Sequence, residues 1–597
     1  MADYRTEVRD GMRIDWDVPI RMTDGTELRA DVFRPVEEGH CPVIMTHGPY
    51  AKGLPFQQGF PGMWKPLTNK HPEVLAGSSG KYQNWETVDP EKWVPDGYAC
   101  VRVDSRGAGR SPGYLDIFSP RETRDYYDCI EWAGTQPWSN GKVGLLGISY
   151  YAGNQWQVAA LQPPHLAAIC PWEGFSDYYR EFARHGGILN TFVSVWYPVQ
   201  VSAVQYGGGG RGDKNPNTGE SIAGPEILPE DQLAANRNDA PAELRARPLD
   251  GEYYRDRSGE LEKITIPVLS AANWAHHLHT RGNFEGYTRA GSASKWLEVH
   301  GLEHFAEFYT DYGLGVQKRF FGHFLKGEDT GWDRQPTVQL NARHVDGSFE
   351  LRGEDEWPLA RTEWTRMYLD LNGGTLSTQP ADGIDDPSVA AFDAVGDGLT
   401  FTTEPFVEET EITGPAAARL LVSSSTTDAD LFLTLRVLDP GGKDVTFVSG
   451  LDPEGVIGMG WLRASHRAVD PARSLPYRPW HPHVREEPLT PGQVVPLDIE
   501  IWPTSVIIPA GYRLAVTVQG RDFEFNGDRA WPAVYGVPMK GHGMFLHNDP
   551  DDRPSSTYAG TTTLISRPGE QPYLLLPFIP RNPEKATIRR GPYLPRP

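Results

Sequence analysis

Hydrophobic residues in the first half of the chain gather into short runs bounded by turn residues, with stretches of helical spacing between them. Ile20-Arg21-Met22, a turn at Asp24-Gly25, Glu27 to Phe33, and Pro42-Val43-Ile44-Met45-Thr46 predict three strands in succession. Tyr98-Ala99-Cys100-Val101-Arg102-Val103 predicts a fourth, and Lys142-Val143-Gly144-Leu145-Leu146 and Leu166 to Cys170 two more. From Pro120 to Gly134 the apolar and aromatic positions Tyr126, Tyr127, Ile130 and Ala133 predict a helix. Two later runs, Ile264 to Ser270 and Ser294 to Val299, are followed by a helical Asp311 to Lys326. Strand and helix alternate, which argues for a mostly parallel sheet covered on both faces.

Beyond Arg334 the pattern changes to alternating runs such as Leu431 to Val437 and Val495 to Ile501, separated by turns such as Asp439-Pro440-Gly441-Gly442. That is an all-β signature of sandwich or jelly-roll type. Between Phe175 and Glu262, Phe182, Ile188, Phe192, Val195, Trp196 and Tyr197 follow helical spacing and predict a cap over the sheet. A shorter insertion, about Gly53 to Lys92, carries Phe56, Phe60, Trp64 and Trp85 as candidates for a second wall. The reading is an α/β catalytic domain (1–174 and 263–333), a helical cap (175–262) and an all-β domain (334–597). Gly207 to Gly210 with Lys214 lacks the serine or threonine of a phosphate loop and reads as a plain loop. The tail from Asn582 reads as extended.

At the end of the Lys142 run, Gly147-Ile148-Ser149-Tyr150 reads as a strand turning sharply into a helix with a serine at the bend. Such an elbow exposes a nucleophile, and the small residue two positions earlier gives it room. Tyr151 stands where the G-x-S-x-G pattern has its second glycine, so the pattern is incomplete. A serine needs a base, and His300 and His304 follow the last strand of the sheet.

Four segments together resemble the α/β-hydrolase superfamily, and within it the cocaine esterase and X-Pro dipeptidyl-peptidase group. They are Thr23 to Pro35, the pair Pro49-Tyr50, Asp104 to Ser111, and Pro137 to Gly144 before the serine. The resemblance implies an α/β-hydrolase sheet with a jelly-roll C-terminal domain, Ser149 as nucleophile and His304 as base. It gives the oxyanion to the Tyr50 phenol and the Tyr150 amide, where an aromatic plug is the alternative for Tyr50. The group's W-x-D acid pattern is broken here, because Asn273-Trp274-Ala275-His276 has histidine in the aspartate's place. Glu173, just beyond the strand that follows the nucleophile helix, is the expected substitute, with Glu285 and Glu303 as rivals.

Composition narrows the function classes. The chain of 597 residues carries 57 basic and 79 acidic residues, a net charge of -22, with no basic tract, which argues against nucleic acid. The amino terminus shows no apolar leader and no run is long enough to span a bilayer, so a cytoplasmic enzyme off the membrane is expected. Cys41, Cys100, Cys129 and Cys170 fall on core elements and read as buried thiols. Neither cofactor nor metal is expected, the partner is a small ester or amide substrate, and self-association is left open. Ester cleavage is favoured because no element for a substrate amine stands out; Asp177 and Glu181 read equally as cap-surface charges. X-Pro dipeptidyl-peptidase or α-amino-acid ester hydrolase activity is the alternative. Remoter ones are a metal hydrolase built on His276-His277-Leu278-His279 and a non-catalytic binding protein, the latter raised by the missing aspartate.

Overall fold

The computed structural model describes residues 4–380, 387–527, 531–582 and 585–592. Its first sheet has twelve strands. Those before the serine are β1 (Arg5–Arg9), β2 (Met12–Arg21), β3 (Glu27–Pro35), β4 (Cys41–Gly48), β5 (Ala99–Asp104) and β6 (Ser139–Ile148). After it come β7 (Leu166–Trp172), β8 (Val268–Asn273), β9 (Lys295–His300), β10 (Val338–Arg343) and β11 (Phe349–Glu354). The spatial order is β1-β2-β3-β5-β4-β6-β7-β8-β9-β10-β11, closed by Thr587–Arg590. Neighbours from β5 through β10 are parallel, and those at both ends are antiparallel. The sheet therefore continues well past residue 333, and the tail strand pairs with β11 at its edge.

Side chains alternate across a strand, so adjacent residues serve opposite faces. Val43, Met45, Val101, Val103, Leu145 and Ile169 join one buried cluster. Ile44, Cys100, Leu146, Ile148 and Cys170 join another. Because helices cover both faces, these strands read as unbroken apolar runs. The helices are α1 (Pro120–Gly134), α2 (Tyr150–Ala160), α3 (Thr280–Arg289) and α4 (Asp311–Phe321). Ser119 caps α1 by accepting the Glu122 N–H, with Pro120 at the first helical position. Packing of β6 on α4 is close: a Cβ on Gly144 would lie 2.5 Å from the Phe321 ring. All four cysteines are buried and free.

Two boundaries differ from the sequence reading. β8 begins at Val268 rather than Ile264, since Pro267 has no N–H to give a ladder. The helix expected to reach Lys326 is regular to Phe321, and a wider turn, Gly322–Lys326, completes it. Residues 175–262 hold only short helices, among them Phe192–Trp196, Glu230–Ala235 and Ala240–Ala246. Ile188, expected in a helix, lies in a two-stranded hairpin with Arg184–His185. The second large sheet, built from Glu363 onward, is almost wholly antiparallel. Thr410–Ser424 pairs with both Val495–Ile508 and Tyr573–Phe578, so the sheet closes on itself around its own core. No helix among the described residues is long and apolar enough to cross a membrane.

Candidate active site

Ser149 joins β6 to α2 with φ 60° and ψ -110°, a conformation that side-chain-bearing residues rarely adopt. Its N–H is held by the carbonyls of Trp172 and Glu173, both at 3.1 Å, and the preceding Ile148 N–H by the Glu86 carbonyl. Glycine at 147 is a steric need, because a Cβ there would sit 2.4 Å from the Tyr151 Cβ. Tyr151 replaces the second glycine of the elbow without conflict because Gly48 leaves room for its ring; a Cβ on Gly48 would meet that ring at 2.7 Å. Glu86 (φ 62°) and Glu173 (φ 52°) share the positive φ of Ser149. Three such residues joined by backbone hydrogen bonds at one turn mark a candidate functional site.

Glu173 leaves the carboxyl end of β7 fully buried, and its Oε2 lies 2.7 Å from His304 Nδ1. Its Oε1 lies 2.9 Å from His300 Nε2, whose Nδ1 in turn meets Glu298 Oε2 at 2.7 Å. On the far side of His304, Nε2 lies 3.1 Å from Glu86 Oε1. Carboxylates and imidazoles thus alternate through five buried groups, from Glu86 to Glu298. Burial works against ionising Glu173, but His304 and His300 outweigh it and hold the carboxyl below its usual range. Burial likewise opposes a charge on His304, and Glu173 and Glu86 overcome it, lifting the ring to about 9. His300, between Glu298 and Glu173, is lifted to about 10. Desolvation dominates at Glu86 and pushes it up to about 7. The rival acids are engaged elsewhere: Glu285 with Arg478 at 2.6 Å and Glu303 with Lys70.

The partner of Ser149 Oγ is not His304 but His279, whose Nε2 lies 2.9 Å away. Glu86 occupies the face of His304 that the serine was expected to meet. The His279 Nδ1 accepts the Phe175 N–H at 3.1 Å, and the His276 Nδ1 accepts the Leu278 N–H at 3.4 Å. His276, His279 and His304 each bring a nitrogen within 4.8 Å of the others, a spacing that could hold a metal ion. A metal-ligating imidazole normally donates its second N–H outward. Nδ1 of His276 and of His279 instead accepts a backbone N–H, so neither ring makes the outward donation of such a ligand. His277 lies outside this set, its ring 5.8 Å from that of Trp461.

Tyr50 lies across the cavity with its ring 5.7 Å from that of Tyr150 and 6.3 Å from that of Trp196. The Tyr150 phenol is bonded to Glu122 at 2.7 and 2.8 Å, which anchors the residue whose amide opens α2 beside Ser149. Trp85, Phe192, Trp196, Leu451, Tyr535 and Phe545 supply apolar walls. The second region of the chain therefore helps close the cavity, and the His304 N–H donates to its Gly450 carbonyl. About 20 Å³ is free, room for about one water. Asp177 pairs with Arg180, and Glu181 is fully buried against Arg281 rather than lying on the surface.

Sequence reasoning missed Glu86 and His279. Nothing in Asn84-Trp85-Glu86 distinguishes Glu86, and His279 enters the sequence reading only within the remote metal-hydrolase alternative. The H-x-x-H spacing at a strand's carboxyl end was the available signal.

The chain matches the family profile of X-Pro dipeptidyl-peptidase (S15 family) over residues 24–306 and that of the X-Pro dipeptidyl-peptidase C-terminal non-catalytic domain over 330–558. A CocE/NonD family hydrolase from Staphylococcus aureus is 31% identical, with 97% of each chain covered and a TM-score of 0.81. Cocaine esterase from Rhodococcus sp. is 25% identical over 587 residues, covering 85% of this chain and 90% of that protein. An α-amino acid ester hydrolase shares the fold at 17% identity and a TM-score of 0.62, with 96% and 97% covered.

Proposed function

We propose that this chain, which belongs to the X-Pro dipeptidyl-peptidase (S15) family and is a serine hydrolase, cleaves carboxylic esters through an acyl-enzyme carried on Ser149. The observation that carries this reading is the strained Ser149 turn opening on the same cavity as a histidine whose Nδ1 is held by a buried carboxylate. Ser149 Oγ attacks the carbonyl carbon, and its proton passes to His304 Nε2, which returns it to the leaving alcohol. Glu173 keeps His304 in the Nδ1–H tautomer and stabilises the imidazolium. The Tyr50 phenol and the Tyr150 amide receive the oxyanion, where one donor is worth about two to three orders of magnitude in rate. Water then repeats the sequence and releases the acid. For Nε2 to take the serine's proton, Glu86 gives up its contact with His304.

In this reading the first sheet is an α/β-hydrolase sheet, residues 175–262 form its cap, and the closed sheet beyond Glu363 is a jelly roll that buttresses the base loop. The His304 to Gly450 hydrogen bond supports that last role.

A specific observation favours a second reading, hydrolysis of substrates bearing an amine. Glu86 Oε2 is buried and accepts no hydrogen bond of good geometry, although the Trp85 indole lies near enough to help hold the carboxyl's charge. A carboxylate so placed can take a substrate ammonium, the element that the sequence did not reveal.

Labelling with a fluorophosphonate and peptide mapping tests the serine. Ser149 is expected to carry the label, and Ser149→Ala to lose turnover of an activated aryl ester while keeping its circular dichroism. Label on another residue, or an active Ser149→Ala enzyme, removes the assignment. Comparing a neutral ester, an α-amino ester and an X-Pro amide separates the two substrate readings.

A further inference from the structure

A backbone N–H can only donate, so the contact from Phe175 to His279 Nδ1 leaves that nitrogen without a proton. The ring's one proton is then on Nε2, the atom 2.9 Å from Ser149 Oγ. His279 is 1% exposed, and burial with the nearby His304 pushes it well below the ordinary histidine range, which keeps it neutral. A neutral imidazole with a fixed Nε2–H cannot accept the serine's proton through that atom. It can only donate to Oγ.

Resting on the serine reading above, we propose that His279 is a further catalytic residue, a hydrogen-bond donor to the nucleophilic oxygen itself. In acylation the Oγ–H bond breaks, its proton passes to His304 Nε2, and the Oγ electron pair forms the new bond to the carbonyl carbon. While that bond is incomplete, Oγ carries excess charge, and the His279 N–H stabilises it. In deacylation water gives its proton to His304 and bonds to the carbonyl carbon. The C–Oγ bond then breaks, its electron pair returns to Oγ, and His279 again stabilises that oxygen until His304 returns the proton. The His279 proton is never transferred. The geometry gives the two imidazoles of this cavity different parts: the Phe175 amide makes His279 a donor, and the Glu173 carboxylate makes His304, once neutral, an acceptor.

The test uses the full-length enzyme, a fluorophosphonate probe and an activated aryl ester. His279→Leu is expected to lower kcat and the labelling rate together by about a hundredfold with KM little changed, in line with the loss of one preorganised donor. His279→Gln, whose amide N–H can reach the same oxygen, is expected to recover most of that loss. In ¹⁵N spectra of histidine-labelled wild type, His279 Nε2 is expected to be protonated throughout the neutral range, a readout that needs no variant. Wild-type rates in His279→Leu, a Gln variant as slow as the Leu variant, or an unprotonated Nε2 each overturn the proposal. Failure of wild-type Ser149 to take the label removes the serine reading as well, so the two failures are told apart.

Discussion

Two neighbouring loops bring histidines to the same cavity and give them opposite characters. β8 and β9 run parallel with Asn273 opposite His300, and the loops beyond them carry His276 and His279 on one side and His304 on the other. All of these rings are buried. His276 and His279 are pushed well below the ordinary histidine range, while His304 is lifted to about 9. Desolvation acts on every one of them in the same direction, so it does not set the difference. Nearby carboxylates do: His304 lies between Glu173 and Glu86, whereas His276 and His279 each meet a backbone N–H at Nδ1. A backbone N–H on Nδ1 makes a neutral ring an Nε2 donor, and a carboxylate there keeps the proton on Nδ1, so that the ring once neutral has a lone pair on Nε2 to act as a base.

The sharpest way to break the comparison is to remove the carboxylate. Glu173→Gln takes away the anion while roughly keeping the side chain's shape, and His304 then meets only neutral groups on its Nδ1 side. Turnover is expected to fall by up to about ten thousandfold, the loss that follows the equivalent change in a well-studied triad. Because the His276 and His304 ring centres are 4.4 Å apart, His276→Asp in the Glu173→Gln background is expected to restore part of the activity. Steady-state kcat on the aryl ester checks both. Near-normal turnover in Glu173→Gln returns the acid to an open question, since Glu285 and Glu303 are committed to Arg478 and Lys70.

A smaller effect is expected one step further along the chain of charges. His300 is the cation between Glu173 and Glu298, all three fully or nearly fully buried. Removing one member of such a set leaves uncompensated charge, at a cost of about 3–5 kcal/mol. His300→Gln is therefore expected to lower the urea midpoint clearly and kcat by about ten- to a hundredfold, since Glu173 loses its orientation rather than its charge. An unchanged midpoint denies His300 its place between the two carboxylates.

How much of this was legible follows the range of the signals. The parallel sheet, α1 and the Ser149 turn are local patterns, and they fall where the sequence puts them. Glu173 was legible through an irregularity, a histidine where an acid was due, combined with a carboxylate at the end of the adjacent strand. The structure brings the two side chains together, His304 Nδ1 lying 2.7 Å from Glu173 Oε2. His279 and Glu86 were not legible, because their significance lies in single contacts across 130 and 218 residues of chain. In residues 175–262 the helical spacing held for Phe182, Phe192, Val195, Trp196 and Tyr197, which lie in short helical turns, and failed at Ile188, which lies in a hairpin.

The smallest expected effect concerns Glu86 and separates its contact with the base from any contact with substrate. His304 accepts a proton only when neutral, and its pKa of about 9 means that the neutral fraction, and with it kcat/KM on a neutral ester, rises with pH through that region. Glu86 titrates near 7 and is an anion above it, which favours the charged imidazolium. Glu86→Gln removes that anion, so the pKa of His304 falls and the limb moves to lower pH. At pH 7 the variant is expected to turn over a neutral ester faster than wild type, because more of its His304 is neutral. If Oε2 also holds a substrate ammonium, kcat/KM for an α-amino ester falls in the same variant while that for the neutral ester rises. A limb that stays in place denies Glu86 its contact with His304 in solution, and parallel changes for the two esters remove the amine reading.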